Sequence, residues 1–138
     1  MRSVAAALFS LPLVFLNQTA ASDASRLETA PPVVVKTEPQ AGVADVDPGL
    51  KEIRVTFSKD MLDQSYSVGI VTKEVFPAIT GKPKYLEDKR TCVIPVALEA
   101  DHTYSMWMNT ASLESFRDKD QRPAVPYLLV FKTLKAKK

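Results

Sequence analysis

The stretch EIRVTFSKDM, residues 52–61, alternates apolar and polar side chains for six positions and then runs polar up to Met61. In an extended chain Ile53, Val55 and Phe57 point to one side, and Glu52, Arg54 and Thr56 to the other. Period two over six residues is the pattern of a strand with one face on a core. A single such strand needs partners, because an isolated pair is at best marginal in water. The neighbouring sequence supplies them at short spacing.

Upstream, Val33 to Thr37 is β-branched and runs into Pro39, and QAGVADVDPG (residues 40–49) follows with turn residues. Downstream, strands are expected at Lys51 to Phe57, Tyr66 to Thr72, Lys82 to Leu86 and Thr91 to Val96. Pro83 has no N–H to give a ladder, so the 82–86 strand belongs at an edge or a strand start. His102 to Asn109 sets Tyr104, Met106 and Met108 against Thr103, Ser105 and Trp107, and Tyr127 to Thr133 sets Leu129 and Phe131 against Val130 and Lys132. Helix signals are confined to spans such as Val75 to Thr80 and Ala111 to Phe116, too short or too proline-marked for more than connectors. Seven short strands with turn signals between them predict an all-β antiparallel sandwich. Val34, Ile53, Val55, Phe57, Val93, Tyr104, Met106, Leu129 and Phe131 are its expected core.

The N-terminus reads as something other than domain. Arg2 supplies a positive charge, Val4 to Leu16 is an almost unbroken apolar run, and Thr19-Ala20-Ala21 offers the small residues of a cleavage site. Residues 1–21 are expected to be a signal peptide, residues 22–31 a linker, 32–133 the domain and 134–138 a basic tail. The apolar run is too short to span a bilayer, so no integral membrane span is expected after cleavage. No cysteine follows it to take a lipid. Export to a secreted, periplasmic or cell-surface location is the reading.

Charge and cysteine usage narrow the function classes. Cleavage removes Arg2 and leaves 17 basic against 16 acidic residues, a balance of +1 that gives no general attraction to nucleic acid. The lysines at 132, 135, 137 and 138 read as a solvated tail. With Cys92 alone an internal disulfide is impossible, so stability rests on the core of about 117 mature residues. In TCVIPV the thiol reads as a small buried hydrophobe.

Several of these residues together resemble the bacterial Ig-like domains of S-layer and other cell-surface proteins. Pro39-x-x-Gly42, Val46, then Ile53-x-Val55-x-Phe57-Ser58-x-x-Met61 resembles the family's opening. Leu98-x-x-x-x-Thr103-Tyr104, Asp118 and Phe131-Lys132-Thr133 resemble its penultimate strand, acidic turn and closing Phe-x-Thr. The resemblance covers about residues 32–133 and implies an Ig-like sandwich with Greek-key connections and no active site. Independently of it, Gly42 suits a positive-φ turn and Tyr104 suits a tyrosine corner, whose hydroxyl bonds upstream backbone. Two departures stand out: Ala100-Asp101 where the family carries Pro-Gly, and Asp120-Gln121 where it carries glycine. Asp101 tolerates a left-handed turn, whereas Gln121 predicts a differently shaped loop from Asp118 to Pro126.

No residue set declares a chemistry. His102 is the only histidine, too little for a zinc site or for a nucleophile–base pair with evident partners. Asp45, Asp47, Asp118 and Asp120 lie in turn sequences that lack the full spacing of a calcium loop. The expectation is therefore a non-catalytic module with no cofactor and no metal. Its partner would be an envelope or secreted protein, or a cell-wall polymer. The alternative is a small secreted hydrolase or a calcium- or carbohydrate-binding sandwich. Candidate binding residues are Trp107, on the face opposite Tyr104 and Met106, and Tyr85, within the mixed rim KPKYLEDKR at 82–90. One strand does not say which face is inner, so Trp107 is a platform or a core residue.

Overall fold

The computed structural model describes residues 26–137. The signal-peptide expectation at 1–21 and the start of the linker lie outside them. The chain divides into two units, Met1–Ala30 and Pro31–Lys138. In the first, residues 26–29 form one helical turn, closed by the Ala30 N–H donating to the Arg26 carbonyl at 2.8 Å.

The second unit is an eight-stranded antiparallel sandwich: β1 (Val34–Glu38), β2 (Glu52–Phe57), β3 (Val68–Ile70), β4 (Ala78–Ile79), β5 (Lys84–Tyr85), β6 (Thr91–Ala97), β7 (Thr103–Met108) and β8 (Tyr127–Lys132). One sheet runs β1-β2-β6, with β4 and β5 on the far edge of β6, and the other runs β3-β7-β8. This is the strand order of an Ig constant-type sandwich, with β4 and β5 together filling the place of its fourth edge strand.

Pro95 explains why the sequence counts seven strands and the fold eight. The Pro95 carbonyl accepts from the Thr80 N–H at 3.0 Å, so its missing N–H faces the same neighbour. The ladder breaks there: β5 at 84–85 lies within the strand expected at 82–86, and the additional strand β4 at 78–79 falls in the 75–80 span expected to be a connector.

Register places the alternation where the sequence predicts it. Ile53 lies opposite Ile94 and Val55 opposite Cys92 in one sheet, while Tyr104 faces Phe131 and Met106 faces Leu129 in the other. These side chains form the core with Phe57, Val96 and Met108, and Phe116 joins them from the β7–β8 connection. The Phe57 and Phe116 rings lie 5.1 Å apart. Val34 is half-buried at the core margin, and Val93, buried as expected, lies on the outer face of its sheet in register with Arg54 and Lys84.

Between β1 and β2 the chain changes sheets. Gly42, at φ 89°, donates its N–H to the Val130 carbonyl, and Val46 bridges Thr133 in parallel, covering the outer edge of β8. The Thr133 hydroxyl donates to the Glu99 carbonyl at 2.6 Å and accepts from the His102 N–H at 3.0 Å, fixing the turn before β7. The Tyr104 hydroxyl accepts from the Glu99 N–H at 2.7 Å, the upstream contact of a tyrosine corner. Asp101 and Gln121 hold φ of 53° and 65°, so both departures from glycine take the left-handed backbone that glycine adopts freely. The Gln121 carbonyl accepts from Arg117 Nη1 at 2.9 Å, and its N–H donates to the Asp118 carbonyl at 3.0 Å.

Candidate functional site

At one end of the sandwich the β2–β3 loop, β5, the β5–β6 turn and Lys119 enclose a cleft of about 430 Å³. Met61 is buried at its base, Leu62, Tyr85 and Leu86 are half-buried, and Asp63, Glu87, Lys89 and Lys119 are exposed around it. The floor is thus apolar and the rim charged.

Backbone hydrogen bonds hold the walls together. The Met61 N–H donates to the Lys89 carbonyl and the Leu62 N–H to the Arg117 carbonyl, each at 2.8 Å. Lys89 closes its turn at φ 59°, with its N–H on the Leu86 carbonyl at 3.0 Å. The Asp88 carboxylate accepts from the Arg90 and Thr91 N–H groups at 2.9 Å and from the Thr91 hydroxyl at 2.6 Å. That Thr91 hydroxyl bond contributes most to holding the Asp88 carboxyl below its ordinary range.

Tyr85 is a wall of this cleft. Its register with Cys92 turns the ring toward the inner face, and its hydroxyl donates to the Ser65 carbonyl at 2.8 Å. Burial pushes the phenol well above its usual range. Beside it, Asp63, Gln64, Lys82, Pro83 and Lys84 line a second hollow of about 360 Å³.

Trp107 lies elsewhere. It is half-buried on the outer face of the β3-β7-β8 sheet, in register with Gly69 on one side and exposed Leu128 on the other. A Cβ at Gly69 would come within 3.1 Å of the Trp107 Cβ and 2.8 Å of Thr110 Cγ2, so glycine makes room for the tryptophan there. The fold does not bring Trp107 and Tyr85 together. Met61, Leu62 and Lys119 enter the cleft without having been singled out as binding residues, and no local pattern joins Lys119 to a loop 59 residues earlier.

Asp60, Asp47 and the histidine have structural partners. Asp60 accepts from Arg90 Nε at 2.9 Å and Lys119 Nζ at 3.0 Å, and these bonds hold its carboxyl below the ordinary range. Asp47 accepts from the Gly49 N–H at 2.8 Å. His102 donates Nε2–H to the Glu74 carbonyl at 2.6 Å, with its ring 4.6 Å from Tyr104. Cys92 is fully buried, and burial pushes its thiol up to about 12. Among the described residues no three His, Cys, Asp or Glu side chains gather as a metal site, and no helix is long and apolar enough to cross a membrane.

Among the described residues Asp118 is the most deeply buried carboxylate. Burial acts to raise its pKa, but it is outweighed by the Arg122 N–H at 2.9 Å, the Lys59 ammonium at 3.1 Å and the Asp120 N–H at 2.9 Å. The net shift is downward, so its contribution to stability is complete above the unfolded value of about 3.9 and is lost as pH falls through the lower folded value. Asp118→Asn is expected to flatten the acid limb of the stability–pH profile below about pH 4. Urea midpoints across that range check it, and an unaltered limb in the variant would refute it.

Comparison with known proteins agrees with the architecture. The chain resembles the crystal structure of the S-layer protein rSbsC(31-844) with a TM-score of 0.52 at 15% identity, covering 85% of this chain and 16% of that one. Domains 1-6 of surface layer protein SbsC give a TM-score of 0.53 at the same 15% identity and the same coverages of 85% and 16%. At that identity the likeness is one of fold. The chain spans 16% of the length of either structure. No curated protein matches it. The description "bacterial Ig-like domain" matches residues 28–133, most of the chain and the whole of the sandwich, and the chain accordingly belongs to the bacterial Ig-like domain family.

Proposed function

We propose that this protein is an exported, non-catalytic interaction module that holds an envelope or secreted partner through the end cleft walled by Tyr85. The cleft itself carries the reading: an apolar floor inside a charged rim is a recognition surface, built on hydrogen-bonded turns that keep its shape. Against a hydrolase stand the engagement of His102 with the Glu74 carbonyl and the burial of Cys92, which leave neither as an evident base or nucleophile. The cell-surface setting rests on the likeness to S-layer structures and on the signal-like N-terminus.

A second contact face has its own support. Trp107 on an outer sheet surface, beside exposed Leu128, suits stacking against a wall glycan.

Co-sedimentation of the purified protein with envelope fragments from its source cell tests both. Saturable binding is expected, lost in Leu62→Asp if the cleft mediates it, or in Trp107→Ala if the outer face does, with unchanged far-ultraviolet circular dichroism in each variant. Absence of saturable binding at any protein concentration would refute envelope adhesion.

A further inference from the structure

We infer that the sandwich is a load-bearing link, built to carry tension that enters it at Pro31 and leaves it at Leu134. This goes beyond the two contact faces and depends on neither of them.

The path of the chain sets the direction of the load. The Val125 N–H donates to the Pro32 carbonyl at 2.9 Å, which places the start of the sandwich beside the start of β8. Val46 pairs in parallel with Thr133, one residue past the end of β8. The segment from 32 to 46 therefore follows β8 in the same direction, and the chain enters and leaves at opposite ends of that strand. At about 3.3 Å per residue, the six residues of β8 separate the two points by about 20 Å along the strand axis.

Four backbone bonds join this segment to β8 and run across that axis. The Gly42 N–H donates to the Val130 carbonyl at 2.7 Å, and the Lys132 N–H to the Val43 carbonyl at 2.9 Å. The Val46 N–H donates to the Lys132 carbonyl at 3.1 Å, and the Leu134 N–H to the Val46 carbonyl at 2.8 Å. Pulling Pro31 one way and Leu134 the other slides the two segments past each other, so the four bonds share the load and must fail together. Peeled from one end, the same bonds would break one at a time. Upstream, β1 is held along its length by β2 and is also loaded in shear. Downstream, the Thr133 N–H donates to the His102 carbonyl at 2.9 Å, and its hydroxyl holds the Glu99 carbonyl, so the exit is tied to the turn before β7.

Among the described residues the named strands pair antiparallel, and the Val46–Thr133 bridge is parallel. Protecting the edge of β8 from other chains would be served by either direction. An antiparallel cover, however, would bring entry and exit to the same end and let tension peel it away. The parallel one converts tension into shear.

Forced unfolding of single molecules of the full chain tests this by comparing two directions of pull. In one, the handles sit on the two termini. In the other, one handle is on the thiol of Lys51→Cys, Cys92 being buried, and the second is on the C-terminus. Position 51 is exposed and immediately precedes β2, which runs antiparallel to β1, so it lies at the exit end and this pull peels the Val46–Thr133 pair. The pull between the termini is expected to need the higher force. Leu134→Pro deletes one N–H of the clamp at an exposed position, and at fixed force between the termini it should unfold about fivefold faster than wild type. Thr80→Pro, which deletes the bond to the Pro95 carbonyl at the far edge of the other sheet, should unfold at about the wild-type rate. Equal forces in the two directions would overturn the inference, as would a Leu134→Pro rate equal to that of wild type or of Thr80→Pro. Should Leu134→Pro fail to fold, the comparison of directions decides alone.

Discussion

Phe57→Ala is expected to lower the equilibrium stability of the domain by about 3–5 kcal/mol. The side chain is 1% exposed, sits on a strand hydrogen-bonded on both sides, and stacks against Phe116 at 5.1 Å. Removing it takes away both the transfer free energy of the ring and the contacts of every atom that faced it. Val55, two residues along the same face, and Cys92, opposite Val55 on β6, belong to the same core and lie on paired strands, so the void has little means of collapsing. For a domain whose total stability is about 5–15 kcal/mol, the loss is a large fraction. The melting temperature should fall by about 15 °C or more. Lys36→Ala, on the exposed edge strand β1 with its ammonium on exposed Glu38, is the control and should change stability by less than about 0.5 kcal/mol. Urea and thermal unfolding of the two variants measure this. A Phe57→Ala midpoint close to wild type would remove that ring from the energetic centre of the fold.

Phe57 also shows what was legible in the sequence. Its strand, together with β7 and β8, carries period-two alternation over about six residues, and that pattern alone states which side chains share a face. The pattern does not say how a strand's neighbours are oriented. Pro95 was visible in TCVIPV, yet the edge it divides depends on which side its carbonyl points, a property of the assembled ladder. Val93 is apolar and buried, as its place in TCVIPV implies, yet its register with Arg54 sets it on the outward face. Trp107 was left between two faces for the same reason, and only the pairing with Gly69 and Leu128 assigns it outward. The cleft was the least legible feature. It gathers residues 61–63, 85–87, 89 and 119 through backbone bonds such as Leu62 to Arg117, and no local period encodes contacts between loops. Tyr85 could be named from its neighbourhood in KPKYLEDKR, whereas its role as a wall with a committed hydroxyl follows from tertiary contacts.

Asn109→Ala is expected to cost about as much as Phe57→Ala, by a different route. Asn109 is fully buried, and its side-chain amide makes four hydrogen bonds: Nδ2 donates to the Phe116 carbonyl at 2.9 Å and to the Ala124 carbonyl at 3.0 Å, while Oδ1 accepts from the Phe116 N–H at 2.9 Å and from the Ser67 hydroxyl at 2.7 Å. Truncation leaves the Phe116 carbonyl its second donor, the Ala124 N–H at 2.8 Å, and leaves Ser67 its contact with the Leu113 carbonyl. It strands the Phe116 N–H and the Ala124 carbonyl in the interior, each at about 1–3 kcal/mol. The backbone adds to this, because Asn109 sits at φ 60°, a conformation asparagine tolerates and alanine adopts at a cost of about 1 kcal/mol. The sum is on the order of 3–7 kcal/mol. Asn109→Gly separates the two contributions, since glycine relieves the backbone cost while losing the same hydrogen bonds, and it should unfold at higher urea than Asn109→Ala. Because the amide positions Phe116, which packs on Phe57, the double variant Asn109→Ala, Phe57→Ala should lose less than the two single losses added together. Strict additivity in that cycle would mean that Asn109 pins the loop without setting the ring, and an Asn109→Ala midpoint equal to wild type would mean that water or a rearranged loop satisfies the groups it now holds.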